Sequence, residues 1–390
     1  MRLVPTTARS AVPLVAVLLV LAGCGTDEPA APVDQPTAGS RATSPTGSAG
    51  TTDPADGAST TPSRRVVALP ALGDPATVTT GLQVPWGLAF LPDGTALVAE
   101  RPTGQVVAIG PDGGRSPAGR VPGVADRGEG GLLGLAVAPR DPRTVYAYFT
   151  SDQGDNRVVS MSYRGGRLGA PKVLLRGIPA GGNHNGGRLA VGPDGHLWIG
   201  TGDAGDTGRS QDRADLGGKI LRLRTDGGVP ADNPFPGSPV WSYGHRNVQG
   251  LAFDADGQLW AAEFGQNTWD ELNKVARGGN HGWPVVEGRG GREGFVDPQV
   301  VWRTSEASPS GIAVVGDVVY VAALRGRRLW QVPLENGTAG TPVAALEGEL
   351  GRLRTVQADP DGGLWVTTSN TDGRGSPADD DDRIVRLSLG

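Results

Sequence analysis

The chain has 390 residues, with 63 glycines, 32 prolines, one cysteine and a formal net charge of −5 at pH 7. That length admits several domains or one large β fold, and the acidic balance argues against nucleic acid as a partner. A single cysteine excludes a disulfide within the molecule and any dithiol chemistry.

The N-terminus reads as a processing signal. Arg2 and Arg9 form a positive region, and Ala11–Ala22 is an apolar run too short for a good transmembrane helix. The run ends in Leu21-Ala22-Gly23-Cys24, a bacterial lipobox pattern. Residues 1–23 are therefore expected to be removed and Cys24 lipidated, leaving the protein extracytoplasmic and anchored to the cell membrane. An ordinary signal peptide with an incidental cysteine is the alternative. Residues 24–75 are built mostly from Pro, Ala, Gly, Ser, Thr and Asp and have few large apolar side chains to offset the entropy of ordering. They read as a disordered tether, with the globular domain at 76–390.

Within that domain an apolar run, a polar turn and a second apolar run recur six times. The first copy is WGLAFLPDGTALVAE from Trp86, and the third is GRLAVGPDGHLWIGTGD from Gly187. Their central positions, Ala89, Ala136, Ala190, Ala252, Ala313 and Gln357, recur at intervals of roughly 45 to 60 residues. A hairpin cannot bury its face alone, so a repeat of hairpins at this period predicts propeller blades. The fold class is all-β, a six-bladed β-propeller. Arg383–Leu389 alternates as a strand, as does Thr77–Leu82, and pairing the two ends would close the ring.

Several blade loops carry unusual chemistry. In the third copy, a hairpin would bring His184, ahead of its first strand, towards Asp203, after its second, as in a general base and its orienting carboxylate. Glu129 lies among glycines before the second copy, and His245, Arg246, Asn247 and Gln249 precede the core of the fourth. Glu263, Asp270 and Glu271 follow that copy, around Gly265. Arg325, Arg327 and Arg328 follow the fifth, and Arg352 and Arg354 alternate towards one side of a strand before the sixth. Converging arginines would suit an anion, and loop carboxylates with free carbonyls would suit calcium. The plain alternative for each is a solvated loop residue.

Residues 76–390 resemble the soluble sugar dehydrogenases that use pyrroloquinoline quinone (PQQ), the glucose and aldose sugar dehydrogenases. The resemblance rests on VPWGLAFLPDG from Val84, GGLLGLA from Gly130, HNGGRL from His184 with Asp203 following, and GHRNVQGLAF from Gly244. It rests further on EFGQNTWDELN from Glu263, GGNHGWP from Gly278 and RLR from Arg352. It implies a six-bladed propeller that oxidises an aldose at the anomeric carbon to a lactone and passes electrons to an external acceptor. It implies His184 as general base, Asp203 as its partner, and Arg246 stabilising charge on the quinone oxygen. Asn247, Arg325, Arg352 and Arg354 would bind PQQ, with Glu129 facing the substrate. The carbonyls of Gly265 and Gln266 would hold the calcium beside PQQ. A second calcium would use Asp270, with Glu263 or the carbonyl of His281. Glu129 stands where the family commonly has Gln, Arg325 for Lys, Gln266 for Pro and His281 for Tyr. The loop insertions that support a dimer in the glucose-specific members look absent or short here, so the chain more closely resembles the broad-range aldose branch.

Other residues have plainer expectations. Trp86, Trp198, Trp260 and Trp365 read as inter-blade core, His196 as structural and Asp379–Asp382 as a solvated loop. Two other classes stay open: a calcium-dependent lactonase-type hydrolase, and a non-catalytic propeller that binds a glycan or protein.

Overall fold

The computed structural model describes residues 67–390. The expected signal peptide, Cys24 and most of the expected tether lie outside them. The described chain forms six antiparallel sheets, and its only helical element is a single 3-10 turn at Thr207–Ser210. Blade one shows the plan: Pro85–Phe90 is innermost, followed outward by Ala96–Glu100, Gln105–Ile109 and Arg115–Arg120. The innermost strands of blades two to six are Leu132–Ala138, Leu189–Val191, Val248–Phe253, Pro309–Val315 and Leu353–Ala358. These six strands surround an axial cavity of about 340 Å³, lined by Ala89, Ala136, Ala190, Ala252, Ala313 and Gln357 among others.

The ring closes as the alternation at its two ends predicts. Ala76–Thr79 is the outer strand of blade six and pairs with Ile384–Leu387, Ala76 opposite Arg386. Packing begins ahead of the Ala76 boundary. Val67, Leu69 and Leu72, expected in the tether, lie against the core between blades five and six, because they are apolar residues within reach of its open side. Gly390 N–H donates to the Ala71 carbonyl and Gly73 N–H to that of Ser388.

Six apolar clusters hold the blades together, one at each interface. Trp198, Trp260 and Trp365 each sit in one, buried as expected. Trp86 differs: it joins the cluster between blades two and three, but it also forms part of the floor of a polar pocket. Asp381 and Asp382 are not a solvated loop. Asp382 is fully buried, accepting from the Asn370 N–H and the Thr368 hydroxyl, and Asp381 accepts from Asn370 Nδ2.

Near the axis the innermost strands approach backbone to backbone, and glycine permits it. A Cβ on Gly87 would lie 2.5 Å from the Leu133 carbonyl and 2.6 Å from the Leu135 nitrogen of the next blade. A Cβ on Gly311 would lie 2.8 Å from Thr355 Cα. Gly87→Ala is therefore expected to lower unfolding stability by about 1–3 kcal/mol through overpacking, read by urea denaturation. An unchanged midpoint would show that the strands can move apart freely.

Candidate active site

Antiparallel hairpins put the start of each innermost strand and the end of the next strand at the same face. Every chemically unusual loop therefore gathers at one end of the axis. A second axial cavity of about 350 Å³ opens there, lined by Trp86, Glu129, Gln249, Phe264, Arg325 and Arg354, together with Arg101, Arg352, Asp372 and Arg374.

On the third blade, His184 Nδ1 lies 2.7 Å from Asp203 Oδ1. Asp203 is fully buried, and it also accepts from Gly205 N–H at 2.8 Å and Trp283 Nε1 at 2.9 Å. Burial alone would raise its pKa, but the bonds from His184, Gly205 and Trp283 outweigh burial and hold it below the ordinary value. An ionised Asp203 fixes the proton on Nδ1 and leaves Nε2 as a lone-pair acceptor, the form a general base needs. His184 has φ +52°, a left-handed conformation rare outside glycine. Its N–H donates to Glu129 Oε2 at 3.2 Å and its carbonyl accepts from Ala204 N–H at 3.1 Å, so neighbours on both sides hold the strained turn.

On the fourth blade, Arg246 lies over the Trp283 ring at 5.4 Å and donates to the Phe264 carbonyl at 3.3 Å. Burial lowers its pKa, against the opposing pull of Asp203, Glu287, Glu263 and Asp270. Asn247 is fully buried, and its Oδ1 accepts from Gly186 N–H. On the sixth blade, Arg352 and Arg354 both line the pocket. Asp372 Oδ2 takes Arg352 Nη2 at 3.0 Å and lies 3.6 Å from Arg354 Nη2. Burial brings the Arg354 guanidinium down to about 9, against the raising effect of Asp372. Arg325 is exposed and lines the pocket; Arg328 pairs instead with Glu347.

The pocket is rich in unused donors. Arg101 Nε and Arg354 Nε, of its lining, are buried with no acceptor among the described residues, as are Arg246 Nε and Asn247 Nδ2 on the fourth-blade loop outside that lining. Five arginines face two carboxylates, Glu129 and Asp372. A ligand with several anionic oxygens would satisfy both the donors and the charge.

Glu129 is less free than expected. Its Oε1 pairs with Arg374 Nη1 at 2.9 Å while Oε2 takes the His184 N–H. The loop at Gly265 and Gln266 is built around Glu287, whose Oε1 accepts the N–H groups of Gln266, Asn267, Thr268 and Trp269. The Gly265 and Gln266 carbonyls accept from no described residue, which suits a hard cation.

The carboxylates expected around a second metal are divided between two faces of their strands. Asp270 and Glu271 are adjacent in a strand, so they face opposite ways. Asp270 accepts from Gly265 N–H and Ser308 N–H. Glu263 binds His245 Nδ1, Arg246 N–H and Asn273 Nδ2, and Asn273 also bonds Glu271. His281 stacks on His245 at 4.5 Å. Burial raises the pKa of Glu263 and Glu271 and lowers that of both imidazoles. Among the described residues no group of three or more His, Cys, Asp or Glu is arranged to hold a metal ion.

Residues 82–384 match the family model described as glucose/sorbosone dehydrogenase. The chain belongs to that family. The solved PQQ-bound aldose sugar dehydrogenase of Streptomyces coelicolor is 54% identical, with a TM-score of 0.79, and the match covers 82% of this chain and 98% of that one. The aldose sugar dehydrogenase YliI of Escherichia coli K12 is 31% identical over 332 residues, 75% of this chain and 89% of that protein. The quinoprotein glucose dehydrogenase B of Acinetobacter calcoaceticus is 33% identical over 269 residues, 58% of this chain and 56% of that protein. The family is one of oxidoreductases acting on sugars, as the motifs at His184, Gly244 and Arg352 imply.

Reading residues in isolation misses Arg101, Asp372, Arg374, Trp283 and Glu287. The repeat itself holds a signal for two of them. Arg101 and Asp372 follow the second strand of their blades, as Asp203 does.

A carboxylate with a depressed folded pKa stabilises the fold above its unfolded value and loses that contribution as pH falls through the folded one. The stability gap between wild type and Asp203→Asn is thus expected to be full near neutrality and to close below about pH 4. A gap constant into acid would show that Asp203 is not ionised in the fold.

Proposed function

We propose that this protein is a PQQ-dependent aldose dehydrogenase that oxidises the anomeric carbon to a lactone. The observation that carries the reading is the His184–Asp203 pair at 2.7 Å beside an arginine-lined pocket with unpartnered buried donors. The arginine lining separates it from a calcium-dependent hydrolase, which needs carboxylates facing the axis.

When bound, PQQ supplies the two-electron acceptor for the hydride leaving C1. The residues of the chain do the rest. His184 Nε2 takes the proton of the anomeric hydroxyl as the lactone C=O forms, and Asp203 stabilises the imidazolium that results. Arg352, Arg354, Arg325 and Arg101 pair with cofactor carboxylates, and Asn247 Nδ2 donates to the cofactor. Arg246 offers its unused Nε–H where negative charge develops. The Gly265 and Gln266 carbonyls hold calcium. Glu129 accepts a sugar hydroxyl on the lone pairs that Arg374 and the His184 N–H leave free. Cys24 carries a lipid that holds the enzyme at the outer face of the cell membrane, where an external acceptor reoxidises it.

Purified apo-protein given PQQ and calcium is expected to reduce a redox dye with aldoses. No reduction with any sugar of a broad panel, and no retained cofactor absorbance, would sink the reading. His184→Ala is expected to cut turnover by about 10²–10⁴-fold while leaving PQQ bound; near-normal rates would mean that another group is the base. Arg352→Ala is expected to do the reverse first, weakening PQQ retention, and unchanged retention would remove it from the cofactor site.

A further inference from the structure

At one level of the hub, four innermost strands carry glycine: Gly87, Gly134, Gly250 and Gly311. The equivalent residue is Arg188 in blade three and Thr355 in blade six. Those two blades face each other in a ring of six. Arg188 crosses between them, donating from Nη2 to Thr355 Oγ1 at 3.0 Å and from Nε to the Gln249 carbonyl at 2.6 Å. Its guanidinium lies 4.3 Å from the centre of the Trp86 ring. The glycines leave the room that this long side chain occupies.

Arg188 is only 6% exposed and, among the described residues, has no ion pair. Other buried arginines differ: Arg222 has Asp194 and Asp232, and Arg352 has Asp372. The hydrogen-bond acceptors of Arg188 are all neutral. Burial lowers its pKa to about 9, and Arg354, a second cation, pushes the same way. A buried charge without a counter-charge is unfavourable, and an apolar side chain of the same size would fill the hub at less cost. Fold stability alone does not account for an arginine here.

Its neighbours point to the pocket. Arg188 lines the lower axial cavity, whereas Trp86, Gln249 and Arg354 line the upper. Gln249, held through its carbonyl by Arg188, accepts from Arg354 Nη1 at 2.8 Å and from Ser310 Oγ at 3.0 Å through Oε1. Thr355, which takes the other end of Arg188, donates to the Trp86 carbonyl at 2.6 Å. Arg354 lies 5.9 Å from the same indole.

We infer that Arg188 is a positioning residue whose counter-charge is the anionic cofactor across the Trp86 layer. It orders Trp86, Gln249 and Arg354 and adds positive potential to the pocket without touching the ligand. This rests on the reading of the pocket as a PQQ site.

The test compares wild type, Arg188→Met and Arg188→Lys as full-length proteins. Thermal unfolding is measured without cofactor, and PQQ affinity in the presence of calcium by fluorescence quenching. Arg188→Met is expected to unfold at the same or a higher temperature than wild type without PQQ, yet to bind PQQ about tenfold more weakly or worse. Arg188→Lys keeps the charge but not the forked donors, and is expected to lose clearly less affinity than Arg188→Met. An Arg188→Met protein that fails to fold, or that melts lower with unchanged PQQ affinity, would make the residue a structural plug and overturn the inference. Equal losses in the Lys and Met variants would also overturn it, since charge would not be the cause. Failure of wild type itself to bind PQQ would instead sink the cofactor reading on which the inference depends.

Discussion

The distance between neighbouring innermost strands at the hub is the constraint on which the structure depends. Gly87, Gly134, Gly250 and Gly311 allow backbone to pack on backbone there, since a Cβ at Gly87 or Gly134 would run into the next strand. Close approach narrows the axis enough for one arginine to span it, from Arg188 to Thr355. That crossing layer lies between two cavities of similar size, one walled mostly by apolar residues and one rich in arginine. The packing rule of the fold thus also builds the floor of the pocket.

Above that floor, charge organises the chemistry. Asp372 restrains Arg352 and Arg354 without cancelling the excess of arginine, and Glu129 ties Arg374 to the backbone of His184. Asp203 is held ionised by three donors in a site that would otherwise favour its neutral form. An imidazole held by an ionised carboxylate, next to donors without acceptors, is an arrangement that suits a bound anion. Carboxylates that do not face the pocket do different work. Glu263 and Glu287 take backbone N–H groups and shape the loops that carry Arg246 and the Gly265 carbonyl.

The architecture was legible because each blade repeats one hairpin, and a repeat averages out the ambiguity of any single short strand. The meeting of His184 with Asp203 was legible for the same reason, since a hairpin of known register joins its own outer ends. Asp270 was harder to place. The acidic run around it suggested ligands converging on a metal, but strand alternation turns Asp270 away from Glu263 and Glu271 and towards Gly265 and Ser308. Trp86 is core, as its likeness to the other tryptophans implies, but it stands one residue before its strand reaches the hub and so also meets the pocket.

The sequence by itself determined the number of blades, the closing of the ring by its two ends and the family. These follow from periodicity and local motifs, which survive in one dimension. Only the tertiary structure decided which polar groups meet between blades: Arg188 with Thr355, Glu129 with Arg374, Arg354 with Gln249. Those pairs come from different blades, so their distances are set by ring closure and strand packing rather than by any spacing along the chain.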